Sequence, residues 1–142
     1  MKKIMILLII ILIAIQFIPI DKTNPPIDAK SNLSAPDEVM TILKNSCYDC
    51  HSNETIWPSY SAIAPFSLII AGHIKDGRKA LNFSNWANIA PDIKVKRIER
   101  SIKTINNNMM PTPGYVRLHE DAVLSDEQKR IVVDWFEEEL KR

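Results

Sequence analysis

The segment Cys47-Tyr48-Asp49-Cys50-His51 constrains this chain more than any other feature. It has the spacing C-x-x-C-H, and its cysteines are the only two in the sequence. This pattern is typical of haem c attachment, in which two thiols add across the two vinyl groups of one haem. The histidine that follows then lies under the iron as the proximal axial ligand. We therefore predict one covalent haem c, held by Cys47 and Cys50, with His51 as the proximal ligand.

Three other uses of the two cysteines are less consistent with the sequence. A thioredoxin-like redox pair lies at a strand-to-helix turn, and nothing around Cys47 alternates as a strand does. A disulfide between cysteines this close would constrain the unfolded chain little. A zinc site from Cys47, Cys50, His73 and His119 is conceivable, but its histidines lack the close spacing of a second ligand pair.

The N-terminal segment, residues 1–20, begins with two lysines and continues as an apolar run in which Gln16 is the only polar residue after position 3. This pattern indicates an export signal or a single membrane anchor. The run ends without small residues at a cleavage position, so we predict an uncleaved transmembrane helix. Lysines stay on the cytoplasmic side, which places the rest of the chain outside.

Residues 21–33 contain Pro25-Pro26 and polar side chains, which predicts an extended linker that holds a domain off the membrane. Residues 34–142 then form one haem-binding domain. The net charge of +1 and the absence of a basic block exclude a nucleic-acid partner.

Only three glycines occur, and no alternating strand pattern follows residue 33, so we predict an all-α domain of helices and long loops. The first helix would start from Ser34 as N-cap and end near Asn45. Further helices are predicted over 65–75 and 92–105. The last begins at the capping box of Ser125, and its apolar stripe should pack on the first helix.

The sixth iron ligand has four candidates: Met109, Met110, His73 and His119. Met110 is favoured because Pro111 restricts the backbone of its predecessor on a loop just past a helix end. Met109 is interpreted as a flexible core filler. His73 would give bis-histidine ligation, and His119 is interpreted as a hydrogen-bonding loop residue.

Several other side chains have less specific roles. Trp57, Tyr60 and Trp86 combine apolar bodies with polar tips that suit haem propionates, although they would serve equally as core aromatics. Arg78 could offset propionate charge or be a solvated surface residue. A backbone carbonyl should bind the second ring nitrogen of His51, but the sequence does not indicate which one.

Beyond the motif, the chain resembles the small haem-binding domain family of membrane-anchored bacterial proteins, and more broadly the class I cytochrome c pattern. The matching segments are 47–55, Trp57-Pro58, Tyr60-Ser61, Ile63-Ala64-Pro65, Leu81-Asn82-Phe83-Ser84 with Trp86, Met110-Pro111 with Tyr115, Leu118-His119, and Leu124-Ser125-Asp126-Glu127 leading into Trp135. The resemblance implies a cytochrome c-like fold wrapped around haem, His51 as proximal ligand and Met110 as distal ligand.

These features together predict a monohaem c-type cytochrome that transfers single electrons at the periplasmic face of the bacterial inner membrane. Its partners would be redox proteins that dock transiently, and it would not be an enzyme. A haem-based redox or gas sensor with a displaceable sixth ligand is the main alternative. A haem peroxidase is a third possibility, with His73 or His119 as the only histidine available for acid–base chemistry.

Overall fold

The computed structural model of the protein describes residues 1–142 and is built from helices without strands, which confirms the predicted all-α class. The α-helices are α1 (Lys2–Ala14), α2 (Asp37–Ser46), α3 (Tyr48–His51), α4 (Phe66–Ala80), α5 (Pro91–Asn106), α6 (Pro113–Val116) and α7 (Asp126–Glu139). Short 3-10 turns cover Ile15–Phe17, Ser59–Ala62, Phe83–Asn88 and Glu120–Ala122.

The start of α2 and the end of α4 differ from the sequence prediction. The extended residue Pro36 caps α2, and no side chain accepts a capping hydrogen bond, so the assignment of Ser34 as N-cap was wrong. Helix α4 continues to Ala80, because no proline interrupts it and basic residues in its last turn suit the helix dipole.

The predicted boundaries of α5 and α7 are within one residue of those observed. Helix α5 has Pro91 in its first turn, where proline is well tolerated. At α7, the Gln128 backbone N–H donates to Ser125 Oγ at 3.1 Å and the Ser125 N–H donates to Gln128 Oε1 at 2.9 Å. These two hydrogen bonds confirm the predicted capping box.

The hydrophobic core lies where α7 packs on α2 and α5, as predicted for the first and last helices of the domain. Phe136 is 1% exposed, and its ring centroid lies 4.7 Å from that of Trp135. Tyr48 stacks on Phe83 at 5.3 Å, and both rings belong to this core. The cysteine–histidine segment is therefore attached directly to the best-packed part of the molecule.

The N-terminal helix is shorter than the predicted transmembrane helix. Regular α-helix ends at Ala14, and Ile18 is extended, as expected for a residue that precedes proline. No helix in the structure has both the length and the apolar character needed to cross a membrane.

The predicted linker over 21–33 is extended, but it lies along the domain rather than forming a free tether. Asn24 donates to the Thr55 carbonyl at 3.0 Å, and the Leu33 N–H donates to the Phe83 carbonyl at 2.9 Å. The prediction of a free tether rested only on the proline and polar content of this segment. Composition does not show which residues will hydrogen-bond to distant parts of the chain.

Helices α3 and α4 approach each other most closely at Gly77. A β-carbon at this position would overlap the Cys50 carbonyl oxygen and lie 3.0 Å from the Cys50 β-carbon. The other glycine of α4, Gly72, has no atom within 4 Å of the place where a β-carbon would stand. Glycine at position 77 therefore permits the contact between the helices.

We expect Gly77→Ala to destabilise the protein by about 1–3 kcal/mol, because the added methyl group forces α4 away from the cysteine segment. The matched control is Gly72→Ala, which should stabilise α4 by up to about 1 kcal/mol, since alanine favours the helix and meets no neighbour. Urea unfolding followed by circular dichroism measures both. Equal effects of the two substitutions would show that the close approach at Gly77 is unimportant.

Candidate functional site

The cysteine–histidine segment forms a separate helical turn at the end of α2. The Cys47 carbonyl accepts hydrogen bonds from the Cys50 N–H at 3.2 Å and from the His51 N–H at 2.9 Å. Residues three apart on a helix lie on the same face. The turn therefore presents both thiols on one side, with His51 immediately after the second.

Both cysteines are free thiols, and their surroundings suppress ionisation. Burial, together with the neighbouring Cys50, raises the pKa of Cys47 to about 12. Burial and the Asp49 carboxylate raise the pKa of Cys50 to about 11. Redox-active cysteines have a lowered pKa, so this electrostatic environment disfavours a thioredoxin-like role for the pair.

His51 is held by a backbone carbonyl that lies far away in the sequence. Its Nδ1 atom is 3.0 Å from the Leu81 carbonyl oxygen. A carbonyl oxygen can only accept a hydrogen bond, so Nδ1 carries the proton and Nε2 keeps its lone pair. Burial also lowers the pKa of His51, which favours the neutral ring. A neutral imidazole with a fixed tautomer is the form that binds a metal.

Arg78 holds the residues that follow His51 in place by hydrogen bonds. Its Nε donates to the Ser52 carbonyl at 2.7 Å, while its Nη2 donates to Thr55 Oγ1 at 2.9 Å and to Asn24 Oδ1 at 2.7 Å. Ser52 is fully buried, so its carbonyl would be costly to leave without a donor. Arg78 thus stabilises the site and is neither a solvated surface residue nor a side chain without partners.

A second connection joins the site to the loop after α5. The Tyr115 hydroxyl donates to Asp49 Oδ2 at 2.7 Å, and Asp49 Oδ1 accepts from the Ile56 N–H at 2.9 Å. Burial and the hydrogen bond to Asp49 raise the pKa of Tyr115, so this phenol stays protonated as the donor. Because Asp49 lies between the two cysteines, the contact attaches α6, which follows the Met110 loop, to the motif.

The backbone turns sharply before Met110. Asn108 has a φ of 55°, in the left-handed region that asparagine tolerates at helix ends. The N–H groups of Met109 and Met110 then point to the Thr104 carbonyl at 2.8 and 3.3 Å. Met110 is 37% exposed. Met109 is 58% exposed and lies outside the core, so its interpretation as a core filler was wrong. The loop is thus attached to α5 on one side and, through Tyr115, to the motif on the other.

The remaining histidines do not join the cysteines in a metal-binding cluster. His73 is exposed on α4. His119 Nε2 is 2.6 Å from the Tyr60 hydroxyl, and the His119 ring stacks on Tyr115 at 4.2 Å, which confirms its interpretation as a hydrogen-bonding loop residue. No group of three or more histidine, cysteine or acidic side chains converges on one point, so the ligand set imagined for zinc is not assembled.

The three aromatic candidates have different surroundings. Trp86 packs between Phe83 and Trp135 in the hydrophobic core, so it is a core aromatic. The Tyr60 hydroxyl is hydrogen-bonded to His119. The Trp57 Nε1–H is buried without a hydrogen-bond partner in the protein, so it is a donor that a propionate could use.

These residues fit a haem group. Two thiols on one face of a turn, followed by an imidazole whose Nε2 lone pair is unprotonated, supply the donor set that haem c attachment needs. The predicted backbone carbonyl at the second ring nitrogen of His51 is confirmed, but sequence analysis did not identify it as that of Leu81, and it missed Gly77 and the Tyr115–Asp49 contact. None of the three has a local signal, since each depends on a partner brought close only by the fold.

Comparison with known proteins gives one positive result. A family model described as a haem-binding domain matches residues 10–138, which include the motif, α4 and the Met110 loop. No curated protein matches the chain, and no solved structure matches it. Because the match covers most of the chain, the protein belongs to the haem-binding domain family.

Proposed function

We propose that this haem-binding protein is a monohaem c-type cytochrome that carries single electrons at the periplasmic face of the inner membrane. The hydrogen bond from His51 Nδ1 to the Leu81 carbonyl is the observation that carries the proposal. It fixes the ring so that Nε2 keeps its lone pair for a metal, on the residue that directly follows the second cysteine. Haem, when bound, supplies a one-electron redox centre that no side chain provides.

The residues of the chain have distinct roles in this proposal. Cys47 and Cys50 hold the cofactor covalently, and His51 is the proximal ligand. The Leu81 carbonyl raises the basicity of the ligating nitrogen, as a hydrogen-bonded partner of a ligating histidine does. Met110 is the distal ligand, and a thioether there raises the reduction potential relative to a second histidine.

The geometry of its loop supports Met110 as the distal ligand. Thr104 holds the backbone on one side, and Tyr115 reaches Asp49 on the other. A loop fixed at both ends loses less conformational entropy when its side chain binds a metal. His73 is exposed on α4 and has no such support, so a bis-histidine site is less favoured.

An electron carrier also suits the other features of the chain. The near-neutral charge favours weak, transient redox-protein partners over one strongly charged ligand. His119 is hydrogen-bonded to Tyr60 and His73 is exposed on α4, so neither histidine gives specific support to a peroxidase. The apolar side chains of α1 are exposed along the helix, which supports membrane attachment through residues 4–20.

The proposed covalent attachment is tested by producing the full chain together with a haem c attachment system. We expect one haem per chain that stays with the polypeptide after denaturation and acid–solvent extraction, because thioether bonds survive both. The Cys47→Ala/Cys50→Ala double variant should lose all covalent haem, and the Met109→Ala control should keep it. Haem that is extracted from the unsubstituted chain would leave a haem-binding protein but would exclude a c-type cytochrome.

The distal ligand is tested by Met110→Ala, with Met109→Ala and His73→Ala as matched controls. We expect only Met110→Ala to lose the weak near-infrared band of methionine-ligated ferric haem. Its reduction potential should fall by about 0.1 V or more, within the roughly 0.8 V range that axial ligands span. Optical spectra and redox titration measure both. An unsubstituted protein that is high-spin and binds carbon monoxide readily would instead support the sensor.

A further inference from the structure

An exposed apolar corner of the haem-binding domain lies beside the end of the N-terminal segment. We use the name α4 corner for Ile63, Phe66 and Ile69, which come just before α4 or in its first turn and are 60%, 54% and 50% exposed. Large apolar side chains exposed together mark an interaction surface rather than ordinary solvent-facing positions.

The polar side chain within the apolar run forms a two-point connection to this corner. Gln16 Nε2 donates to the Ala64 carbonyl at 3.1 Å, and the Ala64 N–H donates to Gln16 Oε1 at 3.0 Å. Ala64 is 7% exposed and is the direct neighbour of Ile63. A paired amide contact of this kind fixes orientation as well as distance. The apolar run therefore ends against the α4 corner.

Further contacts fix the chain after this connection. Lys22 Nζ donates to Ser61 Oγ at 3.2 Å and lies 5.8 Å from the centroid of the Trp57 ring. Asn24 is hydrogen-bonded to Thr55 and to Arg78. Tryptophan and lysine are typical of the boundary between membrane and water. The segment from Gln16 to Asn24 thus follows the domain surface and does not separate the domain from the apolar run.

We propose that the α4 corner inserts into the surface of the bilayer that receives the N-terminal segment, so that the haem-binding domain lies on the membrane in one orientation. The inference rests on the membrane attachment proposed above. A lipid surface is the partner because α1 is apolar on all sides. A helix that packs against one protein partner needs an apolar stripe on one side only. The corner and α1 then form one continuous apolar surface.

Site-directed spin labelling of the full chain in phospholipid vesicles tests this orientation. The haem-loaded protein has no free thiol if both native cysteines carry haem, so Phe66→Cys introduces one unique labelling site. Collision of the nitroxide with oxygen, which concentrates in lipid, is compared with collision with a water-soluble nickel chelate. The relaxation that the haem iron causes is measured in the absence of both reagents and is subtracted from each value.

We expect the oxygen-to-nickel collision ratio at position 66 to be several-fold higher than at the control Glu137→Cys, an exposed position on α7. Adding Gln16→Ala should lower the ratio at position 66 toward the control while the haem spectrum stays unchanged. The second variant separates loss of orientation from loss of folding. Its substitution removes the connection to Ala64 and one hydrogen bond to the Leu12 carbonyl in the N-terminal segment, but no contact between two residues of the haem-binding domain.

The remaining outcomes distinguish this inference from the function on which it rests. A chain that does not float with the vesicles contradicts the proposed membrane attachment itself. A chain that floats, but whose label at position 66 behaves as at position 137, overturns the insertion of the corner alone. Low collision with both reagents would show that protein or haem covers Phe66, including a second copy of the chain, and would also overturn the inference.

Discussion

The hydrogen bond between His51 Nδ1 and the Leu81 carbonyl is the contact on which the site depends. Without it, the buried imidazole could take either tautomer and rotate about its side-chain bonds. With it, the proton is assigned to Nδ1, and Nε2 faces the other way with a free lone pair. The contact spans thirty positions of sequence, so the fold must bring the end of α4 back to the motif.

The last turn of α4 combines the features that achieve this return. Gly77 lets the helix touch Cys50, Arg78 binds the carbonyl of Ser52, and Leu81 supplies the acceptor for His51. The three residues lie almost consecutively in the chain. A glycine inside a helix costs about 1 kcal/mol relative to alanine. The close contact with Cys50 offsets this cost. Glycine at position 77 is therefore explained by packing against Cys50 and not by helix propensity.

Local signals predicted the parts of the fold that depend on neighbouring residues. The capping box at Ser125 and the apolar stripe of α7 are readable within a few positions, and both predictions matched the structure. The predicted N-cap at Ser34 and the predicted length of the N-terminal helix did not match. The acceptor for His51 was not predictable, because a backbone carbonyl has no sequence signature. The hydrogen bonds of Asn24 to Thr55 and of Leu33 to Phe83 were missed for the same reason, so the linker was interpreted as a free tether.

The contact between Tyr115 and Asp49 has a consequence for the proposed electron transfer. Asp49 lies between the cysteines, and Tyr115 follows the loop that carries Met110, so one hydrogen bond joins the motif to the element that follows the proposed distal ligand. A carrier benefits from ligands whose positions are fixed by supporting contacts, because little of the structure then has to rearrange. In a gas sensor the distal ligand must leave readily, and a loop held by both Thr104 and Tyr115 opposes that release. The arrangement of this loop therefore favours the carrier over the sensor.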